Sequence, residues 1–124
     1  METVIVLGAS NDSSKYAYKA VILLKKHNHR VIPVHPKETN LIDGIPVISS
    51  LNKVKLLNLK IDTITMYVNP KISSDLGDDL ISLNPKRVIF NPGSENDSLS
   101  KKLEAAGISV ENACTLVLLH TGQY

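Results

Sequence analysis

The stretch that decides the fold is Val4-Ile5-Val6-Leu7-Gly8-Ala9-Ser10-Asn11, close to the start of the chain. Its four consecutive apolar residues predict a strand that is covered on both faces, as strands of a parallel sheet are. The glycine and the small polar residues that follow predict a tight turn. From Tyr16 to Lys26 apolar residues recur at the spacing of one helix face. Together these features predict a strand–turn–helix unit.

The alternation of strand and helix continues along the chain. Further strands are predicted at residues 30–34, 63–68, 87–90 and 108–110, with a short, weak candidate at 45–48. Further helices are predicted at residues 51–59, 72–83 and 99–106, the last ending at Gly107. The tail from Leu116 to Tyr124 is too short to assign. This order predicts an α/β fold with a mainly parallel sheet of about five strands.

Composition limits the classes of protein to which the chain can belong. Its 124 residues are 43% hydrophobic and 21% charged, which predicts one globular domain over residues 1–124. No apolar run approaches the roughly 18–20 residues of a membrane helix. Met1-Glu2-Thr3 has no basic flank typical of a signal peptide, so a cytoplasmic location is expected. The net charge of +2 is scattered and only five residues are aromatic, which argues against nucleic acid as a partner.

Ligands of open parallel sheets bind at the carboxyl ends of the strands. The residues expected at those ends are mostly small or polar: Gly8–Asn11, His35–Lys37, Asn69–Lys71, Asn91–Asn96 and Asn112–Thr115. In three of these segments a proline directly follows a polar residue. In one interpretation these prolines only mark the starts of helices, because proline fits the first helical turn after an asparagine cap. The other is an anion-binding surface built from helix N-termini.

The first turn and the end of the second strand both suggest phosphate. The turn from Gly8 to Ser13 resembles a dinucleotide fingerprint, although only the first glycine is present, and an ordinary strand–helix turn remains the alternative. A nicotinamide site usually has an acidic residue after the second strand. Here no acid occurs before Glu38, whereas His35 and Lys37 suit a phosphorylated ribose.

Catalytic and metal chemistry find little support in the sequence. The histidines share no ligand spacing with acids or with Cys114, and no nucleophile elbow or P-loop occurs. His27 and His29 are expected in solvent after the first helix. Cys114 excludes an intrachain disulfide because it is the sole cysteine. It is either a small buried hydrophobe or a reactive thiol.

Several motifs taken in order resemble a known family. They are Val6–Asn11, Ser14–Ala20, Val34–Lys37, Tyr67–Pro70, Asn91–Asn96 and Ala113–Val117. As a set they resemble the small single-domain CoA-binding proteins, which are similar to the N-terminal CoA-binding domain of the succinyl-CoA synthetase α subunit. The resemblance implies a Rossmann-like, doubly wound sheet with helices on both faces, and CoA as the ligand.

The resemblance also implies a site. The Gly8–Ser13 turn would hold the nucleotide phosphates, Lys37 the phosphorylated ribose, and the two Asn-Pro loops the adenine and pantetheine. The full candidate set is Gly8, Ala9, Ser10, Asn11, Ser13, Ser14, Lys15, Tyr16, Pro36, Lys37, Val68, Asn69, Pro70, Asn91, Pro92, Gly93 and Cys114. His35 departs from the family, which commonly has asparagine there. The synthetase's phosphohistidine domain has no counterpart in this sequence, so its activity is not inherited.

Three functions remain open at this point. The first is a stand-alone, non-catalytic protein that binds CoA or acyl-CoA. The alternatives are an enzyme that uses NADP or another nucleotide, and an interaction protein with a vestigial groove. The sequence identifies no protein partner. Two expectations follow from the first function: Gly8→Val abolishes binding without unfolding the protein, and Cys114 lies near the thiol end of CoA unless it is buried behind the loop.

Overall fold

A five-stranded sheet forms the centre of the protein, whose computed structural model describes all 124 residues. The strands are β1 Thr3–Leu7, β2 Arg30–Val34, β3 Thr63–Met66, β4 Arg87–Phe90 and β5 Ser109–Asn112. Their order is β2-β1-β3-β4-β5, and every neighbouring pair is parallel. The predicted mainly parallel sheet is therefore confirmed and is parallel throughout.

Helices cover both faces of the sheet. They are α1 Tyr16–Lys26, α2 Leu51–Lys55, α3 Pro70–Ser73, α4 Gly77–Leu83, α5 Asp97–Ala105 and α6 Thr115–His120. In β1, Ile5 and Leu7 join a core with α2, α4 and α5, whereas Val4 and Val6 join a core with α1 and α6. This two-sided burial explains the unbroken apolar run, and the doubly wound fold is confirmed. None of the helices has both the length and the apolar composition required to cross a membrane.

The helix predicted at residues 72–83 is interrupted. It starts earlier, because the Asn69 side chain accepts a hydrogen bond from the Ile72 N–H at 3.0 Å and caps α3. A 3₁₀ turn over Ser74–Leu76 then separates α3 from α4, which begins at Gly77. Because the helical path is broken, Ile72 does not share the core face of Leu80 and is 52% exposed.

The weak sixth strand does not form. Ile45–Ile48 makes only isolated bridges, in which Ile48 pairs with Val34 and Ile45 with Ile42. Pro46 lacks the N–H group that a regular ladder needs. The tail that the sequence left unassigned forms α6, and its Leu119 is buried in the core shared with α1.

The expectation that His29 lies in solvent is wrong. Asn28, with φ 66°, turns the chain out of α1 towards β2. His29 is half-buried there, with its Nδ1 accepting a hydrogen bond from the Glu2 N–H at 3.0 Å and its ring centroid 5.1 Å from that of Tyr124. Burial lowers the pKa of His29 from its usual 6.5. The histidine is therefore part of the amino edge of the sheet.

This environment predicts a pH-dependent stability. Because the folded state lowers the pKa of His29, the unfolded chain binds the proton more readily, and the stabilisation is complete above pH 6.5 and declines below it. We expect His29→Asn, which keeps a hydrogen-bond acceptor but cannot titrate, to lose this decline. Urea unfolding at about pH 7.5 and about pH 5.5 measures it, with the exposed His27→Asn as control. If the free energy of unfolding of His29→Asn fell between about pH 7.5 and about pH 5.5 as much as that of the wild-type protein, the prediction would be contradicted.

Candidate functional site

Three adjoining cavities lie at the carboxyl edge of the sheet. The largest, here called the central groove, has a volume of about 470 Å³ and lies between the first turn, the start of α1 and the end of β3. It contains eight of the residues singled out from the sequence: Gly8, Ala9, Ser10, Ser14, Lys15, Tyr16, Val68 and Asn69. His35, Tyr67 and Ile72 also line it. The groove thus combines polar turn atoms with apolar side chains.

Two smaller cavities flank the central groove. The apolar cavity, about 280 Å³, shares Gly8, His35, Val68 and Ile72 with it and extends to Pro36. The side cavity, about 320 Å³, begins at Val68 and Asn69 and ends at the loop 91–94, which contains Asn91, Pro92 and Gly93. The remaining candidates line none of the three cavities: Asn11, Ser13, Lys37, Pro70 and Cys114. Most candidate residues therefore share one edge.

Gly8 is required by the neighbouring strand. Its φ is +88°, and a Cβ atom there would lie 2.9 Å from the carbonyl oxygen of Tyr67 and 2.9 Å from Cγ1 of Val68. A side chain at this position would therefore collide with backbone that cannot move without disturbing β3. The expectation that Gly8→Val leaves the fold intact is wrong, because valine would strain the junction of β1 and β3.

Hydrogen bonds donated to two carboxylates shape the rest of the first turn. Asp12 Oδ1 accepts hydrogen bonds from the N–H of Ser14 at 3.0 Å and from its hydroxyl at 2.7 Å. These bonds lower the pKa of Asp12. Glu38 Oε1 accepts from the N–H of Asn11 at 2.7 Å, and the Ser10 hydroxyl oxygen accepts from the N–H of Asp12 at 3.0 Å. Hydrogen bonds within the protein therefore hold the turn, and both carboxylates are occupied by N–H groups of the turn.

The N-terminus of α1 opens into the central groove without a cap. Lys15 occupies the capping position, makes no side-chain capping bond, and no acidic residue lies in the first turn. The first backbone N–H groups of a helix have no intrahelical partners and carry partial positive charge. Lys15 lines the same groove, and together with its positive charge these donors make an edge that favours an anion.

His35 organises the turn that follows β2. Its Nδ1 accepts hydrogen bonds from the N–H groups of Lys37 at 3.0 Å and Glu38 at 3.1 Å. Because Nδ1 acts as an acceptor, the ring proton of the neutral imidazole is on Nε2 and can be donated. An asparagine oxygen can accept the same two bonds. Histidine at this position therefore keeps the turn and presents a ring N–H donor where asparagine would present its amide N–H groups.

The two Asn-Pro loops differ in the direction of their side chains. Asn91 is buried, donates hydrogen bonds to Thr65 Oγ1 at 2.7 Å and to the Met66 carbonyl at 2.9 Å, and accepts one from the Thr115 N–H at 2.9 Å. All of its polar side-chain atoms are thus used inside the protein. Asn69 is exposed, and capping α3 occupies only its Oδ1. Its amide nitrogen is free to donate to a ligand.

Tyr67 is a site residue that was not among the candidates, although it opens the Tyr67–Pro70 motif of the family resemblance. It lines both the central groove and the side cavity. Burial raises the pKa of its hydroxyl to about 12, so it is a neutral donor at physiological pH. Cys114, just before α6, is half-buried and precedes the Thr115 N–H that Asn91 binds. Cys114 is therefore adjacent in sequence to a residue that Asn91, in the wall of the side cavity, holds by a hydrogen bond.

The strand order and the groove at the carboxyl edge are those of Rossmann-like α/β proteins, which bind ligands where the strand order reverses. A family model described as CoA binding domain matches residues 2–120. The chain therefore belongs to the CoA-binding domain family, as its motifs predicted. No curated protein matches the sequence.

Solved structures with the same fold include proteins of similar length and larger enzymes. An uncharacterized protein is 36% identical with a TM-score of 0.89, the match covering 100% of this chain and 98% of that one. The cell-free ID.343 protein from Thermus thermophilus is 28% identical with a TM-score of 0.84, covering 99% and 90%. A dinucleotide forming acetyl-coenzyme A synthetase from Ca. Korarchaeum cryptofilum, solved with phosphate and ADP, is 20% identical with a TM-score of 0.74, covering 90% and 25%. That last likeness establishes the fold alone.

Proposed function

We propose that residues 1–124 form one stand-alone domain that binds CoA or acyl-CoA along the carboxyl edge of the sheet and catalyses no reaction itself. The observation that carries the proposal is the uncapped N-terminus of α1 with Lys15, which lies in the central groove beside the Gly8 turn. Membership of the CoA-binding domain family supports CoA as the ligand. Relatives of nearly the same length support a domain that acts alone.

The diphosphate of CoA is assigned to the central groove. The N–H groups at the start of α1 and the Lys15 ammonium supply positive charge. Asp12 and Glu38, the nearby carboxylates, are bound by turn N–H groups and do not line the groove. Anion binding there is therefore not opposed by a lining carboxylate.

The 3′-phosphate of CoA is assigned to the turn after β2. His35 lines both the central groove and the apolar cavity, and the hydrogen bonds that hold the turn use only its Nδ1. Lys37 is exposed, and its backbone is held by His35 Nδ1. The assignment requires the flexible Lys37 side chain to turn towards this wall, which its exposure allows. A charged donor and a neutral donor thus converge on one anion.

The pantetheine arm is assigned to the side cavity. Its two amide groups need donors and acceptors, which the Asn69 amide nitrogen and the backbone of residues 91–94 can supply. The buried Asn91 contacts hold this loop against β3 and the start of α6. The arm is expected to end in the direction of Cys114.

NADP is the second candidate, because its 2′-phosphate would also suit Lys37 in the absence of an acid at the end of β2. Mass spectrometry of small molecules released from the purified protein, followed by calorimetry with CoA and NADP, separates the two. We expect CoA to be released or to bind, and NADP to bind much more weakly. Release of NADP, or the absence both of released CoA and of heat when CoA is added, would overturn the proposal.

The half-buried state of Cys114 allows a test of where the pantetheine arm ends. We expect the ligand-free, folded protein to be alkylated at Cys114. We expect CoA to slow the labelling because the end of its arm covers the sulfur, with the CoA thiol blocked beforehand as its S-methyl thioether so that it cannot consume the reagent. Intact-protein mass spectrometry after brief alkylation measures the rate. ADP, which lacks the pantetheine arm, serves as the control. Equal labelling with CoA and with ADP would contradict this path for the arm.

A further inference from the structure

The apolar cavity has one charged wall residue. Its walls include Val34 from β2, Leu51 from α2, Ile72 from α3 and Leu76 from the 3₁₀ turn. Asp79 of α4 is the only carboxylate that lines it. A cavity of about 280 Å³ with apolar sides suits a flat ring system. The carboxylate requires a separate explanation.

Asp79 has no protein partner, in contrast to the residue before it. Asp78 is exposed and forms an ion pair with Lys102, its Oδ1 lying 2.8 Å from Nζ. Asp79 is half-buried, and no hydrogen bond or ion pair in the protein uses its carboxylate. Partial burial weakens the hydration of a charged group, and a donor from a ligand would restore the lost hydrogen bond.

Hydroxyl donors lie on the same cavity. Ser49 and Ser50 both line it. The Ser50 oxygen accepts a hydrogen bond from the Lys53 N–H at 3.2 Å as the cap of α2, which leaves its own hydrogen free to donate. The Ser49 hydroxyl has no protein partner. The apolar cavity thus offers an acceptor, Asp79, together with hydroxyl donors.

We propose that the apolar cavity binds the base of the nucleotide and that Asp79 accepts a hydrogen bond from its exocyclic amino group, so that the protein selects adenine over guanine and hypoxanthine. The inference rests on the proposed binding of CoA. In CoA the base and the 3′-phosphate belong to the same ribose, so the base must lie beside the turn at His35 and Lys37. The apolar cavity adjoins that turn through His35 and Pro36.

The edges of the purines explain the selection. Adenine presents an amino donor at position 6 and a ring-nitrogen acceptor at position 1, which match a carboxylate and a hydroxyl donor. Guanine and hypoxanthine present a carbonyl oxygen and an N–H at these positions. Their carbonyl oxygen would face the Asp79 carboxylate. Both groups are hydrogen-bond acceptors, so no hydrogen bond would form between them.

Calorimetry with CoA and with deamino-CoA, in which hypoxanthine replaces adenine, tests the assignment. We expect wild-type protein to bind deamino-CoA about tenfold to a hundredfold more weakly, the range of one hydrogen bond to a charged group. Asp79→Ala should weaken CoA by a similar factor and remove the difference between the ligands. Asp79→Asn, which can both accept and donate, should bind the two about equally. Asp78→Ala, the matched control, should keep the wild-type preference.

Two outcomes would count against different conclusions. If wild-type protein binds CoA and deamino-CoA equally well, or if Asp79→Ala keeps the preference, the role of Asp79 is wrong while CoA binding stands. If wild-type protein binds neither ligand, the proposed function itself is wrong and the assignment of the base falls with it.

Discussion

Gly8→Ala is expected to lower the free energy of unfolding by about 2–4 kcal/mol, the combined cost of an unfavourable backbone conformation and of steric overlap. The φ of +88° is disfavoured for alanine, and its Cβ would lie 2.9 Å from the carbonyl oxygen of Tyr67. Valine adds two methyl groups in the same place, so Gly8→Val is expected to be largely unfolded. Urea unfolding followed by circular dichroism measures both variants.

Gly93→Ala is the matched control for this prediction. Gly93 has nearly the same conformation, with φ +91°, but a Cβ atom there would meet nothing within 4 Å. We expect Gly93→Ala to cost only about 1–2 kcal/mol, from the backbone conformation alone. Equal losses in the two alanine variants would show that contact with the end of β3 contributes nothing at Gly8.

Lys37→Ala is expected to weaken CoA binding by about 1–3 kcal/mol, the range of a charge-assisted hydrogen bond to phosphate. Lys37 is exposed and its ammonium has no protein partner, so alanine should leave the free energy of unfolding almost unchanged. Dephospho-CoA lacks the 3′-phosphate and should bind the wild-type protein more weakly. Its affinity should change little in the variant. Calorimetry with both ligands measures the two effects.

Two other lysines separate the possible causes. Lys15→Ala removes a charge from the central groove and should weaken CoA and dephospho-CoA alike, because both carry the diphosphate. Lys60→Ala, which removes an exposed charge before β3, should change neither affinity. If Lys37→Ala weakened both ligands equally, the lysine would act on the diphosphate or through the overall charge rather than on the 3′-phosphate.

Much of the fold was predictable because its main signals are local. Apolar runs such as Val4–Leu7 by themselves indicate buried strands. The pair Asn69-Pro70 indicates the start of a helix, because asparagine caps helices and proline fits their first turn. The break before Gly77 was not predictable, because the helical spacing of apolar residues from Ile72 to Leu83 continues across it. The absence of a regular strand at residues 45–48 has one cause that is visible in the sequence, which is Pro46.

The location of the candidate site followed from topology, but the direction of its side chains did not. The loops after parallel strands share one edge, so Gly8, Asn69 and Asn91 could be grouped from the sequence. That Asn91 turns inward depends on Thr65 and Thr115, which are 26 and 24 residues away along the chain. The apolar cavity was missed for the same reason, because its walls come from segments that are distant in sequence.

The strand order has a consequence for synthesis on the ribosome. β1 and β2, the first strands to emerge, pair with each other, after which β3 adds to the free side of β1, β4 to β3 and β5 to β4. Each new strand therefore joins the edge that the previous step left open, and no completed pairing has to separate to admit a later one. We expect the nascent chain to gain structure stepwise from its N-terminus as successive strands leave the exit tunnel.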